Sequence, residues 1–180
     1  MVYVLLGKGF EEVEAITPVD YLRRAKIAVA TVGIGGKVIT GGHGIAVQAD
    51  IEIGEMDLTE LDMIVLPGGL GGVASIKASA EAMNAIQFAW ENGKYVAAIC
   101  AAPTILGQLG LLQGKAATCY PGCEDQLEGA NYREAAAVVD GKLITGASAG
   151  CAEQFANCLI AALKGQEAAC QVRQQIVVRP

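Results

Sequence analysis

The sequence predicts an α/β fold in which a mostly parallel sheet is covered by helices on both faces. Short apolar, β-branched runs at residues 2–6, 61–66 and 95–99 alternate with segments of helical spacing, the pattern of βα units. These runs lack the apolar–polar alternation of a half-solvated strand, so they read as strands buried on both sides. The composition agrees: 53% of the chain is hydrophobic, only 5% aromatic, and Ala, Val, Ile and Leu supply the bulk, as close helix-on-sheet packing requires. A length of 180 residues suits one domain, residues 1–180, with a substantial core.

Taken in order, residues 2–6 form a first, central strand that stops at Gly7-Lys8-Gly9. Residues 11–25 read as a helix, with Glu11, Glu12 and Glu14 in its first turn and Arg23 and Arg24 in its last, both favourable to the macrodipole. Pro18 is expected to kink or split it. Residues 27–32 make a second strand. The glycine-rich stretch 33–54 is a small β excursion with pieces at 37–40 and 45–48. A strand at 61–66 is broken by Pro67-Gly68-Gly69, and a helix at 79–92 has Ser79 as N-cap and Asn92-Gly93 as its stop.

The strand at 95–99 ends on Cys100. A helix opens behind it, with Pro103 in the first turn, where a missing N–H does no harm. Residues 111–115 are a turn, and 116–120 a strand ended by Pro121-Gly122. Strands at 135–139 and 142–145 form a hairpin about Asp140-Gly141. A last long helix covers 149–163, followed by a short helical piece and an extended segment at 176–178.

Several function classes fall away at this level. The net charge of −6, without any lysine/arginine cluster in the sequence, argues against a nucleic-acid partner. No apolar run approaches a membrane span, and the apolar first residues are too short for a signal segment and lack a basic start. A cytoplasmic protein is therefore expected, with its six cysteines (Cys100, Cys119, Cys123, Cys151, Cys158, Cys170) as thiols. The glycine-rich pieces match neither a dinucleotide fingerprint nor a P-loop.

In parallel sheets, ligands bind beyond the strand C-termini. Gly7-Lys8-Gly9, Pro67-Gly68-Gly69 and Cys100 all end such strands. A cysteine at a tight strand-to-helix turn meets the positive end of the helix dipole, which lowers a thiol's pKa. The small neighbours Ala97, Ala98, Ala101 and Ala102 suit so sharp a turn. Pro67-Gly68-Gly69 reads either as a donor of backbone N–H groups to an oxyanion or as a plain turn. Glu14 is placed to point back over the sheet crest towards the thiol, with a pKa raised by burial, whereas Glu11 and Glu12 read as solvated charges. His43, the only histidine, lies in a surface loop. No metal is expected, since Cys119 and Cys123 lack a second ligand pair. Cys151 and Cys158 read as core residues sharing one helix face.

The segments Lys8-Gly-Phe-Glu-Glu-Val-Glu14, Ile64-Val-Leu-Pro-Gly-Gly69, Ala97-Ala-Ile-Cys-Ala-Ala-Pro103 and Leu163-Lys-Gly165 resemble the ThiJ/PfpI superfamily, in collinear order over nearly the whole chain, and most of all its deglycase branch. The resemblance implies a flavodoxin-like three-layer sandwich (class I glutamine amidotransferase-like) and a homodimer. It carries the reactive nucleophile onto Cys100, its carboxylate partner onto Glu14, and the oxyanion pocket onto the backbone N–H groups of Gly68, Gly69 and Ala101. The superfamily's peptidase branch has a histidine directly after the cysteine; here Ala101 stands there, which argues against a Cys-His hydrolase. Where the deglycase branch often has a histidine, this chain has Tyr120, in Thr118-Cys119-Tyr120-Pro121, facing the nucleophile. The branch's Arg-Gly-Pro-Gly-like stretch is replaced by Ala147-Ser-Ala-Gly150. The function implied is a cofactor-independent, cysteine-dependent glyoxalase or protein deglycase acting on methylglyoxal-type dicarbonyls or their adducts. The alternative is a redox-sensing thiol protein or chaperone of the oxidative-stress response, with little turnover.

Overall fold

The computed structural model describes residues 1–178. In chain order its elements are β1 (Val2–Leu6), α1 (Glu12–Arg24), β2 (Val29–Gly33), β3 (Val38–Thr40), β4 (Ala46–Gln48), β5 (Ile51–Glu52), β6 (Met63–Leu66), α2 (Leu70–Ala78), α3 (Ala80–Glu91), β7 (Tyr95–Ile99), α4 (Pro103–Gln108), β8 (Ala116–Ala117), β9 (Asn131–Tyr132), β10 (Ala137–Asp140), β11 (Leu143–Gly146), α5 (Ala152–Lys164) and α6 (Gln166–Gln175). Seven strands form one sheet in the order β10-β11-β7-β6-β1-β2-β5. Every neighbouring pair is parallel except β10 with β11. This is the mostly parallel sheet flanked by helices that the sequence predicts.

The continuous apolar runs of the central strands now have a cause. Side chains alternate across a strand, and here both faces are covered. Tyr3 and Leu5, Ile64 and Leu66, Val96 and Ala98 join one core with Val73 and Ile76 of α2, Ile86 of α3 and Ile105 of α4. Val2, Val4 and Leu6, Met63 and Val65, Ala97 and Ile99 join the other, with Val19 and Leu22 of α1, Phe155 and Leu159 of α5 and Val172 of α6. No helix among the described residues is long and apolar enough to cross a membrane.

Four local expectations need correction. Of the kink or split expected at Pro18, the split does not occur: α1 runs unbroken for 13 residues with Pro18 buried inside it, where packing against the sheet compensates for the lost backbone bond. The helix α2 was unforeseen because glycines in its first turn imitate a loop. They serve close packing instead: a Cβ on Gly72 would lie 2.7 Å from the Phe10 Cα, so glycine lets the start of α2 press onto the loop after β1. The expected strand 116–120 shrinks to β8, paired with β9 in a separate two-stranded sheet. From Thr118 its backbone turns to other partners, the Thr118 N–H donating to the Thr145 hydroxyl. Residues 176–178 do not extend. They form the turn that closes α6, with the Ile176 N–H donating to the Val172 carbonyl, the Val178 N–H to the Arg173 carbonyl, and Val177 at a φ of 58°, because satisfying the last helix carbonyls overrides the β preference of a β-branched trio.

Phe155 is fully buried between α5 and the sheet. Phe155→Ala should destabilise the fold by about 3–5 kcal/mol, the usual cost of deleting a core ring, measured as a lower denaturant midpoint at unchanged slope.

Candidate functional site

Because β1, β6 and β7 are adjacent and parallel, the loops that follow them emerge side by side at one edge of the sheet. The turn after β6 sits between the other two. Cys100, directly after β7, has a positive φ of 66°, a left-handed conformation that strains any side chain larger than glycine. The turn is held from both sides: the Cys100 N–H donates to the Gly146 carbonyl, and its own carbonyl accepts from the Tyr120 N–H. The side chain is half-buried.

Glu14 lies in the first turn of α1, the helix that follows β1. Glu11 caps α1, its carboxylate accepting the Glu14 N–H at 2.7 Å, which fixes the first turn and aims the Glu14 side chain inward. Glu14 is fully buried. Its Oε2 accepts from the Gly68 N–H at 2.8 Å. Its Oε1 accepts no N–H or O–H from the protein, and the Cys100 thiol lies beside the carboxyl group. Gly68 separates the two side chains: a Cβ there would come within 2.6 Å of Glu14 Oε2 and 2.7 Å of the Cys100 Cβ. Only a residue without a side chain allows the carboxyl group and the thiol to approach across it.

Burial sets the charges at this edge. It pushes the Glu14 carboxyl up to about 7, against the opposing influence of the neighbouring Cys100 thiol and the Gly68 N–H. The Cys100 thiol is pushed up to about 12, first by burial and then by the negative charge of the facing Glu14 carboxylate. The expected lowering by the helix dipole does not prevail, because burial and the facing Glu14 charge outweigh it. The backbone N–H groups of Ala101 and Gly69 act in the opposite direction and favour thiolate. The two groups titrate as a pair. A proton on Glu14 removes the charge that opposes thiolate and turns the acceptor Oε1 into a donor.

The other sequence-predicted residues lie near this pair in different ways. Gly69 and Ala101 present their N–H groups to the sulfur, whereas the Gly68 N–H is already given to Glu14. Tyr120 is tied to Cys100 through its backbone, and its side chain is half-exposed. A groove of about 540 Å³ opens beside it, lined among others by Thr118, Pro121 and Ala147.

Glu12 corrects the expectation of a solvated charge. It is buried, and its carboxylate accepts from the His43 N–H and the Ile45 N–H while meeting His43 Nδ1 at 2.9 Å. This latches the loop between β3 and β4 onto the start of α1. It also lowers the Glu12 pKa, despite the opposing effect of burial, and raises that of His43. Glu11, Glu12 and His43 bring donor atoms within 4.8 Å of one another, the one such metal-compatible group among the described residues, with the Glu12 oxygens already engaged by the loop. Cys151 sits in the turn before α5, so it shares no helix face with Cys158, and it lines the groove beside Tyr120. Cys119 is buried, its thiol pushed up to about 12 by that burial.

Comparison with known proteins places this geometry in context. The model of the DJ-1/PfpI family matches residues 1–162. The chain is 35% identical to protein dj-1beta of Drosophila melanogaster, over 97% of this chain and 95% of that one. It is 34% identical to a deglycase of Pyrococcus abyssi, over 80% and 87%. The solved structure of oxidized DJ-1 from Toxoplasma gondii superimposes with a TM-score of 0.94 at 32% identity, covering 99% of this chain and 98% of that one.

Glu14→Gln should move two quantities. Removing the charge that opposes thiolate lowers the Cys100 pKa from about 12, seen as thiolate absorbance appearing at lower pH. A carboxyl group raised from 4.5 to about 7 by folding binds its proton more tightly in the native state. It therefore withdraws stability as pH climbs through that window, and the full deficit is present above it. The variant should thus be more stable than the parent by on the order of 1–3 kcal/mol at about pH 8 and show no gain near pH 4, measured by denaturant unfolding at both.

Proposed function

Because the chain belongs to the DJ-1/PfpI family, we propose that it is a cysteine-dependent glyoxalase or deglycase acting on methylglyoxal-type dicarbonyls or on their early protein adducts. One observation carries the reading: a strained thiol and a fully buried, half-satisfied carboxyl group face each other across a glycine. A carboxyl group with a pKa near neutrality exchanges protons in both directions at physiological pH. The relative from Pyrococcus abyssi that bears the name deglycase supports the substrate class.

The chemistry follows from the pair. With the proton on Glu14, the Cys100 thiolate adds to the aldehyde carbon of the dicarbonyl, and the new oxyanion is held by the N–H groups of Gly69 and Ala101. Glu14 gives its proton to that oxygen, completing a hemithioacetal. The Glu14 carboxylate then takes the hydrogen of that carbon as a proton, and the electron pair moves to form an enediolate. Returning the proton to the neighbouring carbon, while the hydroxyl proton passes to the adjacent oxygen, leaves a lactoyl thioester. Water hydrolyses it to lactate and the free thiol. Tyr120, at the rim, borders the substrate in this scheme. The Gly68 amide acts on Glu14 and not on the oxyanion. Ala101 in place of a histidine leaves peptidase chemistry without its base.

A second reading rests on the buried, unpartnered Oε1 of Glu14. Protonated, it is a donor beside the sulfur, suited to holding a Cys100 sulfinate after peroxide has supplied the oxygen atoms. The relative from Toxoplasma gondii was solved in an oxidized form. On this reading the protein senses oxidants, with little turnover.

Cys100→Ser should abolish lactate formation from methylglyoxal, reducing turnover by about a hundredfold or more; full consumption by the variant would remove the thiol from the mechanism. Peptide mass spectrometry after mild peroxide separates the two readings. Selective oxidation of Cys100 in a protein with negligible methylglyoxal turnover selects the sensor.

We also propose a homodimer in the cytoplasm, where the six free thiols remain reduced. Val13 and Ile16 on the outer side of α1, and Val38 and Ile45 on the β3–β4 hairpin, are large exposed hydrophobics of the kind a partner covers. Light scattering should give roughly double the 18.5 kDa of one chain, and Val13→Glu with Ile16→Glu should yield a folded monomer. A monomeric parent protein would refute the dimer.

A further inference from the structure

At the sheet edge opposite Cys100 lies a groove of about 590 Å³, within the usual range of small-molecule sites. It is framed by the starts of β1 and β7 and the segments that follow α1 and α3. Four of the chain's thirteen lysines and arginines line it: Lys26, Lys94, Lys142 and Lys164. Asp62 is its one acidic lining residue, and that carboxylate is already paired with the N-terminal amine of Met1. In a protein of net charge −6, this lining is a local excess of positive charge.

Part of that charge has a structural use. Helices α1, α3 and α5 all end at this edge, each presenting a negative pole of roughly half a charge. The Lys164 ammonium donates to the carbonyls of Ala25 and Lys26 at 3.0 and 2.9 Å, capping the end of α1. Three helix ends supply about −1.5 against four lysines, so roughly two and a half positive charges stay uncompensated. Counting Glu91, on the last turn of α3, still leaves an excess. Among the described residues, Lys26, Lys94 and Lys142 have no carboxylate within 4.0 Å. The Lys142 ammonium is instead held 3.8 Å above the Tyr95 ring, positioned by a cation–π contact. Tyr95 is itself anchored through its hydroxyl to the Ala162 carbonyl. One cation of the set is thus fixed in place over the groove.

We propose that this groove binds a compact organic anion of two or more charges, a phosphate-bearing metabolite by chemical class, at a site separate from the Cys100–Glu14 pair. Lysine ammonium groups, each a strongly hydrated point charge with three rotatable donors, suit phosphoryl oxygens. Its concave shape and bounded volume favour a soluble ligand. Among the described residues, none of the large exposed hydrophobic side chains lines the groove, so it lacks the apolar rim with which a surface inserts into lipid.

Calorimetric titration with inorganic pyrophosphate at low ionic strength tests the proposal. The full chain should bind one equivalent with saturation, and added salt should weaken the affinity. The variant Lys94→Gln with Lys142→Gln should bind about tenfold more weakly or worse. Lys8→Gln with Lys77→Gln, which removes the same charge outside the groove, should bind like the parent. Backbone amide shifts on titration should concentrate at residues 26–28 and 92–95. Absence of saturable binding, equal weakening in both double variants, or shifts spread over the surface would each overturn the proposal. Shifts confined to the Cys100 edge would assign the anion to the other site, and would also overturn it.

Discussion

The contact between Glu14 and Cys100 across Gly68 sets the terms for the rest of the molecule. Burying a carboxyl group with only one N–H donor costs free energy, and the raised Glu14 pKa is the measure of that cost. The surroundings hold it there. Glu11 caps the helix that carries it, the Gly68 amide anchors one oxygen, and Pro18 stays inside an unbroken α1 packed on the sheet. A fold that concentrates such cost at one edge needs a stable interior elsewhere. The two cores on either face of the central strands provide it.

The site's geometry is a consequence of strand order. Cys100 follows β7 and Glu14 lies just past β1, far apart in the chain, and neither strand touches the other. They meet because β6 pairs with both in parallel, so that its own C-terminal turn lies between them. Glycine at position 68 makes the juxtaposition possible, and its amide does a second job in orienting the carboxyl group. The same parallel arrangement sends three helix C-termini to the opposite edge. The lysines gathered there exceed what those helix ends require, so the two edges of one sheet carry opposite electrostatic characters.

Much of this was legible in the chain, for identifiable reasons. Strands buried on both faces leave uninterrupted apolar runs, and β1, β6 and β7 were found from them. Capping chemistry is local, so Ser79 and Asn92 marked α3, and Asp140-Gly141 marked the β10–β11 hairpin. The motifs around Cys100, Glu14 and Gly68-Gly69 pointed to one family and one sheet edge. The misses were cases where distant contacts outweigh local preference. The glycines of α2 look like a loop until Phe10 is seen pressing on them. The trio at 176–178 has β-forming side chains but turns back to close α6. Glu12 looks solvated until the β3–β4 loop closes over it.

By itself the sequence determined the α/β class, the order of the central elements, and the thiol and carboxyl group on which a function could rest. All of these depend on side-chain type and short spacings, which a linear chain displays directly. The tertiary structure alone decided the charge on that thiol. Spacing along the chain predicted a cysteine made acidic by a helix. Desolvation and a facing carboxylate instead push it up to about 12, because electrostatic energies depend on distance and burial in three dimensions. For the same reason, four lysines scattered from residue 26 to residue 164 formed no cluster in the sequence, and only the folded sheet brought them to one groove.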